Sequence, residues 1–164
     1  MNNAIYRYFI GNYIDIVKDS QIKEEKSGGT TPFDIGRREA YIEVLRYIEE
    51  LGKKYSISLD DDTLISLGER VEDIKYRYLI RDLIYYMKDT LYKYKKGPIE
   101  GYGPIEGDEY QIGRIYMYLH LLNLLKGQTI GFFLKLKDLD YFDYELENGL
   151  PITEQDDLLI DDDE

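Results

Sequence analysis

Apolar residues recur at helical spacing along most of the chain. Ile5, Phe9, Ile10, Tyr13, Ile16 and Val17 fall on one stripe and predict a helix over 5–17. Gln21–Thr31 is polar and glycine-bearing ahead of Pro32, and reads as a loop. Pro32 and Asp34 suit a helix start, because proline tolerates the first turn and a carboxylate favours the positive end. Tyr41, Val44, Leu45, Ile48 and Leu51 then carry a second helix, expected to stop near Gly52.

Tyr55, Ile57 and Leu59 alternate with polar residues, a strand-like period that Asp60–Asp62 ends. Thr63–Leu67 reads equally as a short strand or as one helical turn. A long helix is predicted over 69–96. Its main stripe is Ile80, Leu83, Ile84, Met87, Leu91 and Tyr94, and Tyr78, Tyr85 and Tyr92 form a second, so a wide covered face is expected. Gly97–Gly107, GPIEGYGPIEG, is a tandem repeat that reads as a loop. Tyr110–Leu125 is apolar nearly all round, which places it centrally. Ile130, Phe132, Leu134 and Leu136 alternate again.

These elements repeat at a fixed offset of 77 residues. Gly36 maps to Gly113, Arg37 to Arg114, Tyr41 to Tyr118 and Leu45 to Leu122, while Tyr55, Ile57 and Leu59 map to Phe132, Leu134 and Leu136. The pattern predicts an all-α, or mainly α, single domain: a duplicated helical-hairpin, four-helix bundle with room for two short edge strands. The helical domain spans 1–139, as two pseudo-repeats of about 1–68 and 69–139, and an acidic C-terminal segment spans 140–164.

Charge sharpens this division. The net charge is −12, with 33 acidic and 21 basic residues. Residues 140–164 hold eleven acids and no Lys or Arg, so 1–139 holds 22 acids against 21 bases and is nearly neutral. With no Cys, disulfides, thiolate catalysis and cysteine zinc sites are excluded. No signal peptide is legible, and the most apolar stretch is too short for a membrane span, so a cytoplasmic protein without membrane contact is expected.

The paired Ile-Gly-Arg motif reads two ways. Gly36 and Gly113 let two helices approach closely while Arg37 and Arg114 pair with carboxylates. Alternatively, Arg37 and Arg114 hold an anionic small molecule between the repeats. No phosphate-loop or dinucleotide motif is present. His120, the single histidine, lies in an apolar helix and is expected as a core imidazole; a base role would need a partner such as a Tyr or Glu43. The triplets Asp60–Asp62 and Asp161–Asp163 lack the ligand alternation of a calcium loop, and no metal or other cofactor is expected.

Eighteen Tyr and no Trp leave material for a recognition surface, with Tyr102 at the tip of the repeated loop. The acidic segment interleaves carboxylates with apolar residues. Asp140, Tyr141, Asp143, Tyr144, Glu145, Asp156 and Asp157 suit docking on a basic partner, with charge steering the approach and apolar groups holding the complex. Direct nucleic-acid binding is not expected, since the charge opposes phosphate contact; Lys53, Lys54, Lys93, Lys95 and Lys96 suit helix C-termini. The profile is that of a non-enzymatic, protein-binding inhibitor of a basic partner, a toxin or nucleic-acid-binding protein, as in an immunity protein or a phage-type antagonist of a defence protein.

Overall fold

A computed structural model describes residues 5–57, 73–95 and 105–135. Four helices make up the described chain: α1 (Ile5–Ser27), α2 (Pro32–Lys54), α3 (Asp73–Tyr94) and α4 (Glu109–Gly131). They form an all-α four-helix bundle, and no helix among the described residues is long and apolar enough to cross a membrane. One core runs through it, from Phe9, Tyr13 and Val17 of α1 and Val44 of α2 to Leu83 and Met87 of α3 and Leu121 and Leu125 of α4. Tyr13 is fully buried, and its hydroxyl donates to the Leu121 carbonyl at 2.8 Å, which satisfies the buried phenol.

α2 and α4 make the most extensive contact, and the two glycines explain it. A Cβ on Gly36 would overlap the Tyr110 carbonyl oxygen and lie 2.9 Å from the Arg114 nitrogen. A Cβ on Gly113 would overlap the Phe33 carbonyl oxygen and lie 2.8 Å from its carbon. Phe33 and Tyr110 are themselves related by the 77-residue offset, so the contact is reciprocal about a pseudo-two-fold axis. Each glycine presents hydrogen where any side chain would hold the backbones apart.

The helix ends repeat the same symmetry. Thr31 caps α2, its hydroxyl accepting from the Asp34 N–H at 3.1 Å; Asp108 caps α4, accepting from the Gln111 N–H at 2.9 Å. At the other ends, the segments expected as edge strands are helix caps. Ser56 N–H donates to the Lys53 carbonyl and Ile57 N–H to the Gly52 carbonyl, at 3.2 and 2.7 Å. Phe133 N–H donates to the Ile130 carbonyl and Leu134 N–H to the Thr129 carbonyl, at 3.2 and 2.9 Å. Both are Schellman motifs, with Ser56 and Phe133 each at φ 57°. The alternation has a different cause from a strand: the cap turns Ile57 and Leu134 back onto the core while Ser56 and Phe133 point outward. Leu59, Leu136 and Thr63–Leu67 lie outside the described residues, and the described part holds no strand beyond an isolated bridge between Lys95 and Ile105.

Two further expectations change. α1 continues through Gln21–Ser27, part of the expected loop. No Gly or Pro stands between Gly11 and Gly28, Gln21 bonds Glu25 one turn on, and a polar helix end can project beyond the core into water. The second tyrosine stripe of α3 is not a covered face, since Tyr78 and Tyr92 remain exposed.

The two repeats then diverge. α1 runs to Ser27, but α3 ends at Tyr94, the counterpart of Val17. From Lys95 the second repeat leaves the helix: Lys95 bridges to Ile105, and the Glu106 N–H donates to the Tyr94 carbonyl at 2.7 Å.

Candidate binding site

The arginines that follow the crossing glycines are each committed to a carboxylate. Arg37 reaches back to Glu24 of α1, and its Nη2 donates to Glu24 Oε1; its buried Nε has no hydrogen-bond partner. Arg114 Nε donates to Glu43 Oε2 of α2 at 2.6 Å, in a pair with less than a quarter of either side chain exposed. The pairings do not obey the pseudo-symmetry, because Glu24 and Glu43 are not counterparts. The structure brings the two arginines to the same crossing but gives each its own counter-charge.

Around Arg114 the network continues into aromatic rings. The Tyr118 hydroxyl donates to Glu43 at 3.3 Å and lies 2.8 Å from the Tyr86 hydroxyl. Tyr86 stacks on Tyr47 with centroids 3.9 Å apart, and Arg114 lies over the Tyr118 ring. Burial, and then the hydrogen bond to Tyr86, push the Tyr118 phenol far above its ordinary range, so it stays a neutral donor. Burial works against the Arg114 charge, but Glu43 outweighs it and holds the guanidinium protonated. This chain of donors and acceptors is internally satisfied and ties α2, α3 and α4 together.

His120 is a correction: it is exposed on α4, not a core imidazole. The helix is apolar on so much of its surface that the sequence does not reveal which narrow face stays outside. Glu43, its counterpart in the repeat, is engaged by Arg114 and Tyr118. Tyr102 and the acidic positions Asp140, Tyr141, Asp143, Tyr144, Glu145, Asp156 and Asp157 lie outside the described residues. Among the described residues no group of three or more His, Cys, Asp or Glu is placed to hold a metal ion.

The sequence reading missed a groove of about 690 Å³ between α1 and α2. Ile14, Ile48 and Ile57 are its buried floor, with Ile42 and Leu45 half-buried beside them and Ile22 exposed. Lys18, Arg46 and Lys53 stand around it with a single carboxylate, Glu49. Arg46 and Lys53 are exposed and make no ion pair among the described residues. The volume falls in the range of a ligand or peptide site, and the polarity is that of an apolar slot with a cationic edge. Neither Arg37 nor Arg114 lines it.

In the second repeat the corresponding surface is closed. Leu91, Leu119, Leu122 and Leu125, counterparts of Ile14, Ile42, Leu45 and Ile48, are all fully buried. Lys95, the counterpart of Lys18, is the residue bridged to Ile105, whose side chain packs against the core. A sequence signal existed for this difference. The offset places the polar helix end 18–27 against 95–104, a stretch with glycine and proline, so one unit keeps an open hairpin and the other sends a chain segment back.

No family model, curated protein or solved structure matches this chain.

Proposed function

We propose that the protein is a non-catalytic binding module that engages a basic protein partner, a toxin or nucleic-acid-binding protein, through the acidic segment 140–164. The observation that carries this reading is the charge division: eleven acids without a base follow a body of nearly balanced charge. The body adds support, because several of its charges are consumed internally. Arg37–Glu24, Arg114–Glu43, Lys54–Asp82 and Lys93–Asp89 are pairs within the bundle. A block of carboxylates without Lys or Arg, interleaved with Tyr141, Phe142, Tyr144 and Leu146, suits a surface evolved to accept phosphate. Immunity to a nuclease-type toxin, or antagonism of a defence protein, is the role this chemistry serves. The alternative ligand, a small anion between Arg37 and Arg114, has to compete with Glu24 and Glu43.

The experiment compares the full chain with a full-length variant whose Asp and Glu residues in 140–164 are replaced by Asn and Gln. Partners captured from host lysate are identified, purified and titrated against both proteins at low and moderate salt. Tight binding by the wild type, weakened by salt and by neutralisation, together with loss of the partner's nucleic-acid activity, supports the reading. Equal affinity of both proteins at every salt concentration refutes it.

A further inference from the structure

The open groove and the acidic segment are complementary, and they belong to one chain. The groove has an isoleucine floor with Lys18 on one wall and Arg46 and Lys53 on the other. Residues 156–163, DDLLIDDD, place three consecutive apolar side chains between two blocks of carboxylates and carry no base. We propose that this segment docks in the α1–α2 groove of its own chain, with Leu158, Leu159 and Ile160 covering Ile22, Ile42 and Leu45.

Three observations carry this. The first is charge: Arg46 and Lys53, exposed and without an ion pair among the described residues, flank an apolar slot lined by a single carboxylate, Glu49, and favour an anionic, apolar segment over a neutral or basic one. The second is the closed counterpart. There the matching leucines are buried, and a returning Ile105–Glu106, an apolar residue followed by an acid, pairs with Tyr94 and Lys95. The bundle already brings a returning apolar–acidic segment onto its core beside the equivalent surface. The third is reach. Phe132, at the end of α4, packs edge-on against Phe9 of α1 with centroids 5.5 Å apart, so the chain leaves α4 beside one of the helices that form the groove. Twenty extended residues span about 66 Å, against about 35 Å for a helix of α1's length. A tethered segment is present at an effective concentration on the order of mM, so a weak intrinsic affinity suffices to keep it docked.

Docking stands independently of the partner reading. Where both hold, the groove withholds the acidic surface until a basic partner takes it, a regulation that rests on that reading. The test therefore uses no partner. Because the chain has no Cys, Glu154→Cys gives a single site for a nitroxide in the full-length protein. Ile and Leu methyl resonances are recorded before and after reduction of the label. In the oxidised state the methyls of Ile22, Ile42 and Leu45 are expected to lose most of their intensity, while those of Leu119 and Leu122 keep theirs. Arg46→Glu with Lys53→Glu, both at exposed positions, is expected to restore the lost intensity, as is high salt. Absent broadening at low salt, or broadening spread evenly over both sets, overturns the proposal. So does broadening of the groove methyls in mixtures of methyl-labelled and spin-labelled copies, which would place the segment on a second molecule.

Discussion

Gly36→Ala tests the central contact of the fold. The added methyl would overlap the Tyr110 carbonyl oxygen and lie 2.9 Å from the Arg114 nitrogen, where ordinary contact begins at 3.4 Å. The obstruction is main chain of a facing helix, so no rotamer change relieves it; clearing the Arg114 nitrogen alone takes about 0.5 Å and clearing the overlapped Tyr110 oxygen takes more, so α2 and α4 must part along their whole crossing. Overpacking costs about 1–3 kcal/mol, and a backbone obstacle puts this site at the upper end. Alanine is the better helix former by about 1 kcal/mol, which offsets part of it. The net expectation is a loss of about 2 kcal/mol, or a fall in Tm of about 4–8 °C for a chain of this size. Gly113→Ala should match it, because its methyl would meet Phe33 in the same way. The double variant should lose less than the sum, since helices parted for one methyl already admit the other. Gly127→Ala is the control: it is exposed in α4 with nothing within 4 Å of its Cβ, and should gain stability by up to about 1 kcal/mol. Thermal and urea unfolding by circular dichroism measure all four. A Gly36→Ala protein as stable as Gly127→Ala would refute the close-approach argument.

Glu43→Gln should destabilise by about 1–3 kcal/mol, because it strips the counter-charge from a largely buried Arg114; an unchanged urea midpoint would show the pair to be incidental. Phe133→Gly should stabilise by about 0.5–1 kcal/mol in the same assay, since Phe133 sits at φ 57°, is 86% exposed and has strain to lose but little packing. Asp82 predicts an acid limb. Burial pushes its carboxyl up, but hydrogen bonds from Tyr55, Lys54 and Arg81 outweigh this and hold it below 3.8. Its contribution is therefore present above that value and lost as pH falls through the depressed pKa, and Asp82→Asn should flatten stability against pH in that window. Tyr13 and Tyr118 predict the alkaline limb: burial raises both phenols above 10.0, so stability should fall as pH rises past that value. Phenolate absorbance should show them titrating with unfolding, and early titration of all tyrosines would contradict their burial.

Helices, their pairing by repeat and the glycine crossing were legible in the sequence because they depend on local periodicity and on one motif used twice. Ile5–Val17, the α2 stripe from Tyr41 to Leu51 and the central Tyr110–Leu125 follow from spacing alone. The Schellman caps were not legible. A cap that turns Ile57 and Leu134 inward produces the same alternation as a strand, and what separates them is the backbone at Ser56 and Phe133. The partners of Arg37 and Arg114 were also beyond it, because Glu24 and Glu43 hold unrelated places in the repeat and are chosen by packing.

By itself, then, the sequence determined an all-α bundle from duplicated hairpins and a neutral body followed by an acidic segment, because periodicity and charge are properties of the chain. Tertiary structure decided where the bundle is closed and where it is open. α1 keeps its polar end helical, while α3 stops at Tyr94 and the chain returns at Ile105, so equivalent apolar surfaces become buried core in one repeat and a cation-rimmed groove in the other. The repeat offset marked where the two units diverge, at 95–104, but where the returning segment settles is a matter of packing that local pattern does not encode.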